Sequence, residues 1–444
     1  MPSLEDPISI NSIEIPNRLY RAPLLECAGN HDGTVDKLIE ELEPAAESGV
    51  GLIFQGAVVV SPEGGCAAPE MTRVHDPGFV SELEKLTSRI QKHGSKIFAQ
   101  LEYGGLRSME VWNEKYMREN PGTVQRTVSS PPAAMRVLSR LDFLNLNVRR
   151  MSTDEVYGLA GRFADSAEYL VDAGYDGIHI SGANMGIVQQ FLSPYYNRRE
   201  DVFGGSTARR FNFLKLVHDR IRERVGDDVP VTTKVPAETK SPPHVRRKID
   251  LDEGVRLAEM CAETGFDAVV PVEVSVYWDL SIVQGNYPER SWEDERFHEG
   301  YDQVFGSGLR RKLVSFLNRV EALRYGFEPG WNAGYGERVK RRVVIPVLLE
   351  GGIRNRGQME KLLGSEGDMV GMARPFYAEP RVASRILKNG GSSRDGGYPG
   401  DGTSVLCENC NNCTVPQVAG ADGVCRTPKV LEKRAEFERE GVYD

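Results

Sequence analysis

The chain has 444 residues, of which 40% are hydrophobic, and a formal net charge of -9 at neutral pH. This length and apolar content allow a large core, built either as two or three domains or as one α/β barrel of about 250 residues with insertions. The chain is acidic overall and lacks the basic stripe that nucleic-acid binding needs. The short basic runs 246–248 and 340–342 are typical of solvated helix ends.

The chain contains no apolar run of about 18 residues, the length that a membrane span needs, and its first ten residues lack the pattern of a signal peptide. We therefore expect a soluble, cytoplasmic protein without a membrane partner. Seven cysteines are present: Cys27, Cys66 and Cys261 are scattered, and the other four lie within nineteen residues near the end. This clustering indicates a metal site in a reducing compartment rather than a disulfide framework.

Short apolar runs alternate with helical segments along most of the sequence. Eight runs are predicted as strands: 18–25, 51–57, 96–101, 177–181, 231–235, 268–272, 344–349 and 369–372. Alternating strands and helices favour a parallel sheet, because a parallel return needs a crossover. Periodicity alone leaves a doubly wound sheet open, but eight runs are what a closed (β/α)8 TIM barrel requires.

Apolar residues recur every three or four positions in the segments 80–93 and 154–173, which predicts two amphipathic helices. The second opens with Ser152 and then Asp154 and Glu155, a pattern typical of a helix start with acidic residues at the positive end of the dipole.

Two connections are too long for simple turns, 104–151 after the third strand and 277–342 after the sixth. Both carry aromatic residues, and in a barrel such loops lie over the catalytic mouth. We predict that they are lids over the mouth. Alternatively, they are surface insertions or contacts in a homo-oligomer. We expect the barrel to occupy residues 1–388, followed by a tail over 389–444 that begins with a Gly/Ser-rich linker.

The seventh and eighth strands are each followed by residues suited to an anion. Gly351 and Gly352 follow the seventh strand, and Arg374 follows the eighth. Glycine lets backbone N–H groups approach an anion, and arginine can clamp a phosphate with two hydrogen bonds. A phosphate held after strands 7 and 8 is a recurrent barrel arrangement, so the pair predicts a phosphate site.

Two longer motifs resemble the old yellow enzyme family of FMN oxidoreductases: DGIHISGAN at 176–184 and QFLSPYYNRREDVFGGS at 190–206. Supporting matches are NR at 17–18, APL at 22–24, AQL at 99–101, GG at 104–105 and GMARPF at 371–376. The cysteine tail narrows the resemblance to the iron-sulfur branch that contains 2,4-dienoyl-CoA reductase and trimethylamine dehydrogenase. The similarity covers residues 5–435.

The resemblance implies which residues bind FMN. The expected set is Pro23, Leu24, Leu25, Ala57, Gln100, Lys234, Gly351, Gly352, Ala373 and Arg374. Gln100 would pair with the pyrimidine edge of the flavin, since an amide offers both a donor and an acceptor. Lys234 stands where the family usually has arginine, and it keeps a positive charge near the anionic reduced flavin.

The fourth strand departs from the family, which places histidine, then histidine or asparagine, then tyrosine at the positions of Ser181, Asn184 and Gly186. Ser181 and Asn184 are the predicted substrate-contacting residues, and only Asn184 keeps a matching role. Without the tyrosine, the proton for the substrate must come from elsewhere, and Tyr103 and Tyr277 are the predicted donors. We interpret His179, on the same strand, as a structural interior histidine.

Cys407, Cys410, Cys413 and Cys425 have a spacing that favours a 4Fe-4S cluster, because three close thiolates can wrap one face and a distant fourth can close it. Zinc sites more often use two separated CxxC pairs, and zinc or free thiols remain the alternatives.

The leading hypothesis is an FMN- and 4Fe-4S-dependent oxidoreductase that reduces an activated C=C bond of a small organic substrate. No GxGxxG motif follows Cys425, so either NAD(P)H reduces the FMN directly or a partner protein exchanges electrons through the cluster. The runner-up is oxidative amine dehydrogenation or demethylation, with electrons leaving through the cluster. A hypothesis of another class is an electron-transfer subunit without a substrate of its own.

Overall fold

The computed structural model describes residues 2–141, 143–388 and 404–444. Its strands are β1 (Ile8–Ile10), β2 (Ile13–Ile15), β3 (Leu19–Arg21), β4 (Leu52–Val59), β5 (Lys96–Glu102), β6 (Gln125–Thr127), β7 (Val148–Arg150), β8 (Gly177–Ile180), β9 (Val231–Ala237), β10 (Ala268–Glu273), β11 (Leu348–Glu350) and β12 (Met369–Met372).

Eight of these strands form one parallel sheet in the order β10-β9-β8-β5-β4-β3-β12-β11. A parallel bridge between Val269 and Val347, with the Val269 N–H donating to the Pro346 carbonyl at 3.1 Å, joins the two edges. The predicted (β/α)8 barrel is therefore confirmed. The antiparallel pair β1 and β2 places Ile10 and Ile15 against the barrel interior.

Aromatic rings and glycines from facing strands fill the barrel interior together. Phe54 packs edge-on against Tyr20 and Phe98, with ring centres 5.5 and 5.6 Å apart. A Cβ atom at Gly371 would lie 2.2 Å from the Tyr20 ring, and one at Gly177 would lie 2.6 Å from the Phe98 ring. These two glycines make room for the large rings, so the barrel has a packed core rather than a pore.

The helices of the described residues are α1 (Thr34–Glu47), α2 (Pro77–Glu82), α3 (Glu84–Gln91), α4 (Met109–Trp112), α5 (Glu114–Glu119), α6 (Ala133–Arg140), α7 (Thr153–Asp172), α8 (Ile187–Leu192), α9 (Thr207–Val225), α10 (Leu251–Thr264), α11 (Glu289–Glu293), α12 (Glu295–Phe305), α13 (Gly308–Arg324), α14 (Ala333–Lys340), α15 (Arg356–Leu362), α16 (Arg374–Ala378), α17 (Val382–Lys388) and α18 (Pro428–Arg439). Helix α7 begins with a capping box formed by Ser152 and Glu155, where a helix start was predicted.

Two predicted elements differ from the structure. The helix expected over 80–93 is divided into α2 and α3 at Leu83, although its apolar face remains buried as predicted. The strand expected over 344–349 begins only at Leu348, and Val344 is 98% exposed. Pro346 explains the second difference, because proline has no N–H to donate to a neighbouring strand.

The tail over 404–444 packs against the barrel. The Val405 N–H donates to the Arg354 carbonyl at 2.9 Å, and the Leu406 N–H donates to Glu379 Oε2 at 2.6 Å. Near the end of the chain, the Tyr443 hydroxyl donates to Glu379 Oε1 at 3.0 Å. The predicted Gly/Ser-rich linker over 389–403 lies outside the described residues.

Candidate active site

A cavity of about 470 Å³ opens at the C-terminal ends of the barrel strands. All of the residues predicted to bind FMN line it: Pro23, Leu24, Leu25, Ala57, Gln100, Lys234, Gly351, Gly352, Ala373 and Arg374. Both predicted long connections and the tail also contribute to its walls. The volume is within the range of roughly 300–1,000 Å³ that is usual for ligand and cofactor pockets.

The loop after the first barrel strand forms one wall of the cavity. A Cβ atom at Gly56 would lie 1.3 Å from the Leu24 carbonyl oxygen, so glycine there lets this loop pack directly on strand β4. On the other side, the Leu25 carbonyl accepts hydrogen bonds from the Tyr377 hydroxyl at 2.8 Å and from Gln417 Nε2 at 2.6 Å. The tail therefore helps to hold the wall in place.

Lys234, in the middle of the fifth barrel strand, and Glu350, at the end of the seventh, form an ion pair in the cavity wall. Glu350 also has a buried Oε2 atom without a hydrogen-bond partner in the part of the chain that is described. The positive charge expected at Lys234 is thus neutralised by a carboxylate that the sequence analysis missed. Burial first, and then Lys234, lowers the pKa of His179 far below its usual value, so this histidine is neutral and lies inside the barrel as interpreted.

Gly351 and Gly352 form a cradle against Trp331. Their φ angles are +107° and +69°, in the region that favours glycine. A Cβ atom at Gly351 would lie 2.7 Å from the Trp331 ring, and one at Gly352 would lie 2.4 Å from the Glu328 carbonyl oxygen. Trp331 Nε1 is buried without a hydrogen-bond partner among the residues described. An unpaired donor beside two glycines fits a phosphate or another polar part of FMN.

Arg374 is buried beside the cradle and is already held by protein groups. One of its nitrogens pairs with the Asn411 side chain, and Nη2 donates to the Gln284 carbonyl at 2.8 Å. Asn411 belongs to the cysteine tail and Gln284 to the connection after the sixth strand. Arg374 therefore joins three parts of the site, and burial lowers its pKa below the usual value.

The predicted catalytic residues fall into two groups. Ser181 and Asn184 line the cavity, as expected from the fourth strand. Tyr103 and Tyr277 are not among the residues of its wall, and their role as proton donors stays a prediction. The Tyr103 hydroxyl accepts a hydrogen bond from Gln125 at 3.0 Å, and the Tyr277 hydroxyl lies 3.0 Å from that of Tyr195.

Glu102 and Arg107 form a second ion pair in the cavity, and neither residue was predicted from the sequence. A signal for Glu102 was available, since it lies two positions after Gln100 on the same strand and therefore points to the same face. Arg107 follows in a short 3-10 helix (Gly105–Arg107), whose position no motif indicated.

The outer part of the cavity combines aromatic rings with two acids. The rings of Trp112 and Trp278 lie 5.2 Å apart. Asp279 accepts a hydrogen bond from the Tyr325 hydroxyl at 2.9 Å, and Glu321 accepts one from Asn318 at 3.4 Å. Burial raises the pKa of Asp279, and burial together with Asp279 raises that of Glu321 to about 7.

The tail segment that carries the cysteines reaches the wall of the same cavity. Thr414 and Val415, directly after Cys413, are part of its wall. Burial first, and then the neighbouring thiols of Cys407, Cys410 and Cys425, raises the pKa of Cys413 to about 12. In contrast, Arg354 and Arg374 hold the pKa of Cys407 below its usual value against the opposing effect of burial.

The donor set of the tail fits an iron-sulfur cluster, because four cysteine thiolates are the ligands that such a cluster takes. Zinc also accepts four thiolates and stays the alternative.

None of the helices in residues 2–141, 143–388 and 404–444 combines the length and apolar composition that crossing a membrane requires.

Two curated relatives are similar to the chain over most of its length. The NADH oxidase of Thermoanaerobacter brockii is 27% identical over 95% of this chain and 57% of its own length. The cinnamate reductase of Clostridium sporogenes is 25% identical over 87% of this chain and 53% of its own length. The chain thus spans a little over half the length of these relatives.

Solved structures share the fold at lower identity. Histamine dehydrogenase from Rhizobium sp. 4-9 matches 97% of this chain and 53% of its own chain, with a TM-score of 0.70 and 20% identity. The old yellow enzyme homologue from Zymomonas mobilis matches 97% of this chain and 98% of its own, with a TM-score of 0.62 and 18% identity.

The family model of the NADH:flavin oxidoreductase / NADH oxidase family matches residues 3–310, about two thirds of the chain. The chain therefore belongs to this family of flavin oxidoreductases, the old yellow enzymes, as its motifs indicated.

Proposed function

We propose that the protein is an FMN- and 4Fe-4S-dependent oxidoreductase that reduces an activated C=C bond of a small organic substrate with electrons from NAD(P)H. The observation that carries this proposal is one cavity that brings together the expected FMN-binding residues, Ser181 and Asn184, and the residues after Cys413. Relatives named cinnamate reductase and NADH:fumarate oxidoreductase support a reductive reaction on an alkene.

Bound FMN supplies hydride transfer to one carbon of the alkene. The chain's own residues bind and orient the reactants: Gln100 pairs with the flavin edge, and Asn184 holds the oxygen of the group that activates the alkene. The second carbon needs a proton. Because Tyr103 and Tyr277 lie outside the cavity wall, we assign that proton to water admitted through the mouth.

The cysteine tail gives the site a route for single electrons. The four thiols of the tail would hold a 4Fe-4S cluster next to the flavin pocket. Such a cluster can accept single electrons from, or deliver them to, an electron-transfer protein. NAD(P)H and this partner are therefore alternative sources of electrons for the same flavin.

An anaerobic titration tests the proposal. The bleaching of the flavin absorbance is followed while NADH or NADPH is added, and then an enone, an enoate ester or an amine is added to the reduced protein. We expect only the alkenes to restore the oxidised spectrum. If no alkene reoxidises the flavin while an amine reduces it, the reaction runs in the oxidative direction instead.

A second candidate, oxidative amine dehydrogenation, is favoured by the two acids at the mouth. Asp279 and Glu321 face the cavity without an ion-pair partner among the described residues, and Trp112 and Trp278 lie in the same wall. Carboxylates and aromatic faces both attract an organic cation. A relative from Chromohalobacter salexigens is named N,N-dimethylglycine/sarcosine dehydrogenase.

The second candidate predicts a dependence of cation binding on pH. Because the pKa of Glu321 is raised to about 7, this acid gains its negative charge as the pH rises from 6 to 8. The affinity for choline should increase over that range, and that for the uncharged isostere 3,3-dimethyl-1-butanol should not. Both are measured by perturbation of the flavin absorbance in the wild-type protein and in Glu321→Gln. An equal response to the two ligands would remove the support for an amine.

A further inference from the structure

Helix α13 (Gly308–Arg324) carries a stripe of large apolar side chains on its outer face. Their exposed fractions run from 39% for Leu313 to 84% for Leu323, whereas such residues are usually buried. Together they expose an apolar area on the order of 500 Å², and a surface patch of that size is often functional. The stripe consists of Leu309, Leu313, Phe316, Leu317, Val320 and Leu323.

The inner face of α13 is fixed to the rest of the protein. Ala322 is buried, and Trp292 Nε1 donates to Asn318 Oδ1 at 3.1 Å. The hydroxyl oxygens of Tyr287 and Ser315 lie 2.6 Å apart. The helix is therefore ordered before any partner binds, so docking on its outer face costs little conformational entropy.

Helix α6 extends the same apolar surface. It is followed by Phe143, whose ring centre lies 5.7 Å from the guanidinium carbon of Arg310 on α13. The two long connections of the chain thus meet at one surface. Its area approaches the roughly 800 Å² that each partner contributes to a stable interface. The exposed apolar residues that α6 and its C-terminal end add are Val137, Leu138 and Leu141.

The spacing of the stripe is that of a coiled-coil seam. Leu309, Leu313, Phe316, Val320 and Leu323 follow one another at alternating steps of four and three residues. Phe316 is central, with a leucine seven residues away on each side, so the stripe has nearly the same pattern in both directions. Two antiparallel copies would place Phe316 against Phe316 and Leu309 against Leu323, which is the self-complementary contact of a two-fold dimer.

The charges beside the stripe suit a second copy better than an anionic surface. Helix α13 has five basic residues, but three of them form ion pairs with acids of neighbouring elements. These pairs weaken attraction to anionic lipids, which bind clusters of basic residues, and they reduce the repulsion between two identical helices. The pairs are Arg310 with Glu114 at 3.3 Å, Arg311 with Asp302 at 2.7 Å and Arg319 with Glu289 at 3.5 Å.

A single helix separates this surface from the candidate active site. Val314, Leu317 and Asn318 of α13 line the cavity. Val314 also packs in the apolar cluster that contains Val415 of the tail. A partner on the outer face of α13 would therefore press the helix against the cavity and the tail.

We propose that the outer face of α13, together with α6, pairs with the same face of a second copy of this chain in an antiparallel two-fold dimer. The dimer buries the stripe and holds α13 in place as a wall of the cavity in each copy. It depends on surface residues alone, so it does not depend on which reaction the site catalyses.

Sedimentation velocity of the holoprotein, from about 1 to about 100 μM, measures the association. We expect the wild type to become dimeric over this range. Phe316→Glu and Leu323→Glu should each weaken the association roughly thirtyfold or more, the loss typical of a central interface residue. Both side chains are exposed in the single chain, so the variants should fold. Val344→Glu makes the same kind of change at an exposed valine outside this surface and should leave the association unchanged.

A short bismaleimide cross-linker tests the pairing of the helices. Phe316→Cys should form a cross-linked dimer, because its two copies meet at the two-fold axis. Leu309→Cys and Leu323→Cys should each fail alone, since their own copies lie roughly 20 Å apart along the antiparallel helices, but a mixture of the two variants should cross-link. The wild type gives the background from the native cysteines.

Hydrogen exchange tests whether the dimer holds the cavity wall. Amides of α13 should exchange faster in Phe316→Glu than in Val344→Glu at the same protein concentration, and amides of β5 should not differ. Equal exchange of α13 in the two variants would overturn its stabilisation by the partner.

The remaining results decide the occupant. A wild type that stays monomeric at every concentration overturns the dimer, and so does a dimer that both glutamate variants leave intact. Self-cross-linking of Leu309→Cys and Leu323→Cys as efficient as that of Phe316→Cys overturns the antiparallel pairing. If a monomeric wild type sediments with phosphatidylglycerol vesicles and Phe316→Glu does not, the surface binds a membrane instead of a second copy.

Discussion

Glu238 is a buried carboxylate directly after the fifth barrel strand, close to the site but outside its walls. It accepts hydrogen bonds from Gln189 at 3.0 Å, from the Ser193 hydroxyl at 2.8 Å and from the Ile249 N–H at 2.9 Å. Burial nevertheless raises its pKa to about 7, because the lost hydration outweighs these bonds. The folded protein therefore holds a proton on Glu238 that the unfolded chain releases at lower pH.

This raised pKa predicts that stability falls as the pH rises. Between the unfolded value of 4.5 and the folded value of about 7, the folded state binds more protons, so the free energy of unfolding decreases with pH. Glu238→Gln should remove this contribution. The decrease in the free energy of unfolding between pH 5 and pH 8 should then be smaller by up to ~3 kcal/mol. Urea unfolding at the two pH values measures it, with the exposed Glu223→Gln as control. A variant that loses as much stability as the wild type would contradict the assignment.

The residues of the site differ in how far the sequence could predict them. The residues predicted to bind FMN carried recognisable motifs, and all of them line the cavity. Tyr103 and Tyr277 were chosen because they follow barrel strands, but a position in the sequence does not fix the direction of a side chain after the strand ends. Tyr103 turns toward Gln125, on the short strand β6, and that contact depends on a partner 22 residues away.

At the scale of elements, local signals predicted the start of α7 and most barrel strands. Ser152 and Glu155 form their capping box within the helix start itself, so no distant partner was needed. The helices over 277–342, by contrast, sit over the mouth through long-range contacts. Gln284, for example, is held by Arg374, which is 90 residues away. Periodicity could not place such contacts.

The junction at Arg374 predicts a difference between two variants. Arg374→Ala removes bonds to the cysteine tail and to the connection after the sixth strand, and it takes a cation out of the cavity wall. We expect both FMN and iron to be lost, with FMN affinity reduced by about 2–3 kcal/mol. Cys410→Ser should remove the broad visible absorbance and the iron but leave FMN bound. Flavin fluorescence after dialysis and iron analysis measure the two contents.

A third variant, at a cysteine outside the tail, provides the control for this comparison. Cys261 is buried in helix α10, away from the tail, and Cys261→Ala should retain both FMN and iron. Full iron content in Cys410→Ser would disprove the cluster assignment. Full FMN content in Arg374→Ala would show that the glycine cradle alone holds the phosphate.

At the scale of the whole molecule, the barrel was predicted from the number of strands, but the contacts between the tail and the barrel were not predicted. The tail is tied to the barrel at separate places: through Val405 at Arg354, through Gln417 at Leu25, and through an ion pair between Lys37 and Asp422 at 2.7 Å. Each tie joins residues that are distant in sequence and have no motif of their own.

The same ties predict how the molecule loosens when the proposed cluster is removed. Between Val405 and Gln417 the tail has few backbone hydrogen bonds of its own, so we expect its order to depend on the contacts with the barrel and on the cluster that we propose the four thiols hold. After anaerobic treatment with a chelator, amides in this segment should exchange with deuterium faster, and amides of β5 and β9 should keep their protection. Hydrogen exchange followed by mass spectrometry measures both regions in one sample, and Cys410→Ser should show the same tail exchange without chelator. If the amides of the tail and of the barrel lose protection equally, the proposed cluster stabilises the whole fold and not only the tail.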